Sequence, residues 1–156
     1  MKNFRRLRLW GVLVGGLVLS GGVGLAQSAP AAPLKASGVL AQARVFSFDQ
    51  MPVRKMANGG ESRNIVQGVL ATGESVGLHE SMLPVDSVPN PAHRIEHSEF
   101  IVVREGTLEF LHDGKTETAG PGGVIYVAFG TLHQVRNVGR VPAKYVVIAI
   151  GGDTRK

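Results

Sequence analysis

Residues 92–106 read AHRIEHSEFIVVREG, and the rest of the chain can be read outward from them. Three side chains able to bind a metal, His93, His97 and Glu99, stand close together at the start. Phe100 to Val103 is an apolar run of β-formers, and Glu105-Gly106 is a turn signal. A carboxylate that opens such a run is costly to bury unless a cation, a protonated partner or several hydrogen bonds offset its desolvation. His133 arrives 34 residues after Glu99 and is the expected distant partner of this cluster.

Parity along an extended chain says which residues can meet. Glu99, Ile101 and Val103 share one face of a strand, and His133, Val135 and Asn137 share one face of another. If both faces are interior, Glu99 and His133 look into the same space. His97 falls on the face of Glu99, about 6.6 Å away. His93 would be roughly 20 Å from Glu99 along a straight chain. It joins them only if the backbone turns between residues 94 and 98.

From Ala43 onward the chain reads as strands. Runs of β-branched and aromatic residues alternate with turn signals, and nothing carries helical period. The candidates are 44–48, 64–70, 75–83, 99–104, 107–112, 115–119, 124–128, 133–138 and 144–150. Asp113-Gly114 predicts a two-residue hairpin, and Gly120-Pro121-Gly122-Gly123 a tight turn. Many short strands at this spacing predict an all-β sandwich or barrel.

The chain has 156 residues and no cysteine, enough for one domain with a sizeable core. Disulfides, thiolate metal sites and cysteine nucleophiles are excluded. The net charge of +5 comes largely from the start of the chain. Setting aside Lys2, Arg5, Arg6 and Arg8 leaves 13 of the 17 basic residues against 12 acidic ones. No later basic cluster interleaves with aromatics, so nucleic acid is not an expected partner. Residues 1–26 read as a signal peptide: a basic start, an apolar stretch and a small-residue cleavage site before Gln27. That predicts a periplasmic or secreted protein, touching the membrane only if this segment stays uncleaved as an anchor. Residues 27–42, rich in Ala, Ser and Pro, read as a flexible leader, and 43–152 as the domain.

Two patterns resemble the cupin superfamily. Its first motif, G-x5-H-x-H-x3-4-E-x6-G, is matched by His93, Glu99 and Gly106, with Ile95 where the second histidine stands. Its second, G-x5-P-x-G-x2-H-x3-N, is matched by Gly122, Gly130, His133 and Asn137, with Ala128 for the proline. The resemblance implies a single jelly-roll β-barrel. It also implies one divalent metal (iron, manganese, zinc or nickel) held by His93, Glu99 and His133, with His97 as a substitute for the missing ligand. Cupins often pair through sheet edges, so the resemblance also raises a homodimer. It carries two functional expectations. One is a metal-dependent protein that binds or transforms a small organic molecule, in the manner of a dioxygenase or isomerase. The other, favoured by Ile95, is a non-catalytic module for a sugar-like ligand with a degenerate metal site. Whether the protein is an enzyme stays open. Of the remaining residues, His79 reads as structural or at the rim and His112 as a solvated strand end. Tyr126 reads as a core aromatic, Asn137 as a residue that fixes backbone, and Arg94 and Arg136 as outward charges.

Overall fold

A computed structural model describes residues 39–152 and Thr154. The expected signal peptide, and the expected leader up to residue 38, lie outside the described residues. The described chain forms β1 (Val39–Leu40), β2 (Arg54–Lys55), β3 (Glu61–Leu70), β4 (Ser75–Leu83), β5 (Ser98–Glu105), β6 (Leu108–His112), β7 (Lys115–Ala119), β8 (Val124–Val127), β9 (His133–Asn137) and β10 (Ala143–Ile150). One sheet runs in the order β1-β3-β4-β10-β5-β8, with β2 also pairing with β3, and a second runs β7-β6-β9. Their inner faces share one apolar core, giving the jelly-roll barrel.

Alternation places that core. Ile101 and Val103 on β5, Tyr145 and Val147 on β10, and Ile125 and Val127 on β8 turn inward. Leu108 and Phe110 meet them from β6. A fully buried side chain of this kind contributes about 1.5–3 kcal/mol, so a one-residue slip of register is strongly disfavoured. The turns follow their residues. Asp113 (φ 46°) and Gly114 (φ 73°) close the β6–β7 hairpin. The Gly123 N–H donates to the Gly120 carbonyl at 2.8 Å in the turn before β8. Gly106 sits at φ +73°, where a Cβ would lie 2.7 Å from Ala143 Cα and 2.8 Å from the Pro142 oxygen. The Asn137 amide donates to the carbonyls of Leu83, Pro84 and Val141 at 2.9–3.2 Å and accepts from Gly139 N–H. It fixes backbone, as expected.

The structure departs from the sequence reading in four places. No strand forms at 44–48; Phe48–Gln50 makes a 3₁₀ turn instead. Val45 is 84% exposed, so the run has β-forming residues but no face to bury. The two-residue strands β1 and β2, which carry no readable period, pair with opposite ends of β3. β1 thereby brings part of the expected leader into the sheet. Tyr126 is 55% exposed rather than core. It pairs with Phe100 and packs against its ring at a tilt on the outer face, because neighbouring Val127 pairs with inward Glu99. His112 is not simply solvated: it stacks on Phe110 and its ring bonds Glu117 at 2.7 Å.

Candidate functional site

Cross-strand registers carry the site. Paired residues share a face, so Gln67, Gly77, Ala149, Glu99 and Val127 form one inner row across β3, β4, β10, β5 and β8. Asn64, His79, Val147, Ile101 and Ile125 form the next. Gly77 and Ala149 are small, and the space between Gln67 and Glu99 stays open as a chamber of about 280 Å³. Asn64 and Gln67 are three apart and would face opposite ways in a regular strand. A bulge at Ile65, between Asn64 and Val66, turns both toward the chamber.

Glu99 is the electrostatic centre. Its Oε1 accepts from His97 Nε2 at 2.8 Å, with the two side chains 12% and 14% exposed. Burial holds the His79 imidazole below its ordinary range, against the opposing pull of the Glu99 carboxylate; the charges of Arg54 and His97 add to the lowering. Burial likewise lowers His133, where the bond to the Thr131 carbonyl and the Glu99 charge oppose it, and the charges of His93 and His97 reinforce it. Tyr145 is pushed up to about 12 by burial, countered by its hydrogen bond with Ser81 and reinforced by the Glu99 charge. One carboxylate is thus felt by both facing sheets.

The four residues singled out in the sequence are placed as two pairs. His97 joins Glu99 because the chain bends at Glu96–His97 just before β5. His93 instead joins His133: the two exchange both backbone hydrogen bonds at 3.0 Å, and their rings lie 4.6 Å apart. Each of these rings points Nδ1 at the carbonyl two residues back, Pro91 at 3.2 Å and Thr131 at 3.1 Å. A carbonyl only accepts, so Nδ1 carries a proton in both, which in a neutral ring leaves the lone pair on Nε2.

A divalent ion needs three or four donors around one point. Three imidazoles and a carboxylate are suitable donors for iron, manganese, zinc or nickel. Their placement does not fit one ion: among the described residues no three His, Asp or Glu side chains form a metal-holding group. Ile95, at the position of the missing histidine, is 7% exposed and packs in the core with Leu83 and Ile101.

Sequence reasoning passed over Asn64, Gln67 and Thr154, and left His79 as structural or at the rim. All four line the chamber with His97 and Glu99. His79 was readable by parity once its register with β10 was known; Asn64 and Gln67 were hidden by the bulge.

A family model described as a cupin domain matches residues 78–149. No curated protein matches the chain. Among solved structures, an RmlC-like cupin from Shewanella frigidimarina is similar at a TM-score of 0.59 and 16% identity, covering 71% of this chain and 94% of that one. KdgF from a Halomonas species gives 0.59 and 12%, covering 69% and 94%. A sugar phosphate isomerase of the cupin superfamily from Silicibacter pomeroyi gives 0.56 and 20%, covering 68% and 74%. At these identities the likeness is one of fold.

Proposed function

We propose, on the premise that this chain belongs to the cupin superfamily, that it is an exported protein that binds or transforms a small organic molecule in the Glu99–His97–His79 chamber. The observation that carries this reading is the buried His97–Glu99 pair, 2.8 Å apart, opening onto a cavity of about 280 Å³. Glu99 orients His97 through one carboxylate oxygen. Its other oxygen has no partner among the described residues and is available to a ligand hydroxyl. A carboxylate and two imidazoles around one cavity can take up and return a proton, and a positioned group of this kind typically contributes about 10²–10⁴-fold to a rate. Export is supported by the basic start and apolar stretch of residues 1–26, which would deliver the protein to the periplasm or beyond.

The test is a thermal-shift screen of small organic molecules against the wild type and Glu99→Gln. A molecule that raises the wild-type melting temperature should leave the variant unmoved. Equal response of the two proteins to every binder overturns the reading.

A second reading, a mononuclear divalent metal centre, is favoured by the matching tautomers of His93 and His133. Ligand histidines usually donate their other ring N–H to a carbonyl or carboxylate, as these two do. That reading requires His93, His133 and Glu99 to draw together around one ion, which their placement in this structure does not do; an ion so held would supply Lewis acidity. Elemental analysis decides. Stoichiometric metal in natively purified protein, lost in His133→Ala, supports the centre. Metal-free protein whose stability ignores chelator sinks it.

A further inference from the structure

The outer face of the three-stranded sheet carries a second hollow, of about 450 Å³, that shares no lining residue with the chamber. Register explains its floor. His93 is bridged to His133, and His133 pairs in turn with His112 on β6. Paired residues share a face, and His133 is buried on the inner one. Alternation therefore turns the flanking residues outward: Ala92 and Arg94 in the chain before β5, Leu132 and Gln134 at β9. Leu111 pairs with Gln134 on one side and with Thr116 of β7 on the other, which carries the same outer floor across the sheet. All six residues line the hollow, and the turn of the β6–β7 hairpin, Asp113 to Lys115, borders it.

The floor is apolar at Ala92, Leu111 and Leu132, and Leu132 is left 45% exposed. An apolar body laid on these side chains would remove them from water. The fixed charges among the described lining residues are Arg94, Lys115 and Asp113, two positive and one negative. Arg94 gives one guanidinium N–H to the Gly130 carbonyl and keeps the rest of a planar fork that matches a carboxylate. Lys115 has no hydrogen bond or ion pair with the described residues. Asp113 is engaged by His112, whose Nδ1 lies 3.4 Å from its Oδ2 and whose Nε2 lies 2.7 Å from Glu117. The bond with Glu117 holds the His112 imidazole above its ordinary range, against its own desolvation and with help from Asp113. A positive imidazole there offsets Asp113 and leaves Arg94 and Lys115 to face a ligand. The volume falls within the usual range of about 300–1,000 Å³ for ligand sites.

We propose that this hollow is a second binding site, outside the barrel, for a small organic monoanion: a carboxylate held by Arg94 and Lys115, on an apolar body that covers Leu111 and Leu132. Because the chamber shares none of these residues, failure here leaves the chamber reading untouched.

NMR titration of the isotope-labelled full chain with benzoate tests it, against benzyl alcohol, which lacks the charge, and acetate, which lacks the apolar body. Benzoate shifts the backbone amide signals of Leu111, Thr116 and Gln134 saturably, while those of Gly77 and Ala149 in the chamber stay in place. Benzyl alcohol and acetate each bind at least about threefold more weakly. Arg94→Gln and Lys115→Gln each weaken benzoate about two- to fivefold, the range of an exposed charge contact, and added salt weakens it for the wild type. Both positions are exposed, so the variants keep the fold, and their amide spectra verify this. Equal binding of either control, shifts centred on the chamber, affinity indifferent to both substitutions, or no saturable shift at the floor residues would each overturn the proposal.

Discussion

Tyr145 offers a test of the interior that needs no ligand. Its hydroxyl is hydrogen-bonded with Ser81, its ring is buried on β10, and its ionisation is pushed from 10.0 to about 12. The unfolded chain therefore loses the phenolic proton first as pH rises. The stability tied to the neutral phenol is complete below pH 10 and is lost as pH climbs through about 12. A shift of about two units corresponds to about 3 kcal/mol at about 1.4 kcal/mol per unit. Tyr145→Phe abolishes this dependence. At neutral pH it costs about 1–3 kcal/mol, because Ser81 is left buried without its partner. The two stability curves should therefore converge or cross near the top of the range, with wild type the more stable at neutral pH and falling faster above pH 10. Urea unfolding at stepped pH, followed by phenolate absorbance and fluorescence, reads both quantities. Parallel loss of stability in wild type and Tyr145→Phe between pH 10 and 12 would refute the reasoning, because it would mean that Tyr145 is not held neutral by the fold.

Three further outcomes follow from the same geometry. His79 lies below its ordinary 6.5 chiefly through burial, so the unfolded chain takes up its proton first as pH falls. Its contribution is complete above pH 6.5 and lost as pH drops through the folded value, and urea midpoints should fall more steeply with acid for the wild type than for His79→Gln. Gly106→Ala forces a side chain into φ +73° and against Ala143, which should lower unfolding stability by about 2–4 kcal/mol; a change within about 0.5 kcal/mol would contradict the contact. Ile95→His places an imidazole in the apolar core and should cost about 2–4 kcal/mol without metal. Added zinc recovers that loss only if His93, His133 and Glu99 can close around one ion, so a melting temperature indifferent to zinc counts against the metal reading.

The sequence by itself determined the strands that bury a face. Alternation at Ile101, Val103, Tyr145 and Val147 marks residues that must leave water, and the Asp113-Gly114 and Gly120–Gly123 turns have few other conformations to adopt. The inward direction of Glu99 and His133 followed from the same parity, because the period of a strand is a local property. Only the tertiary structure decided which inward residues are neighbours. His93 exchanges backbone hydrogen bonds with His133, whereas His97 turns to Glu99. The bulge at Ile65 brings Asn64 and Gln67 to one wall, and Thr154 reaches the chamber from beyond the last strand. These depend on register, bulges and chain return, which are set by packing between segments far apart along the chain and leave no mark in the periodicity of any one of them.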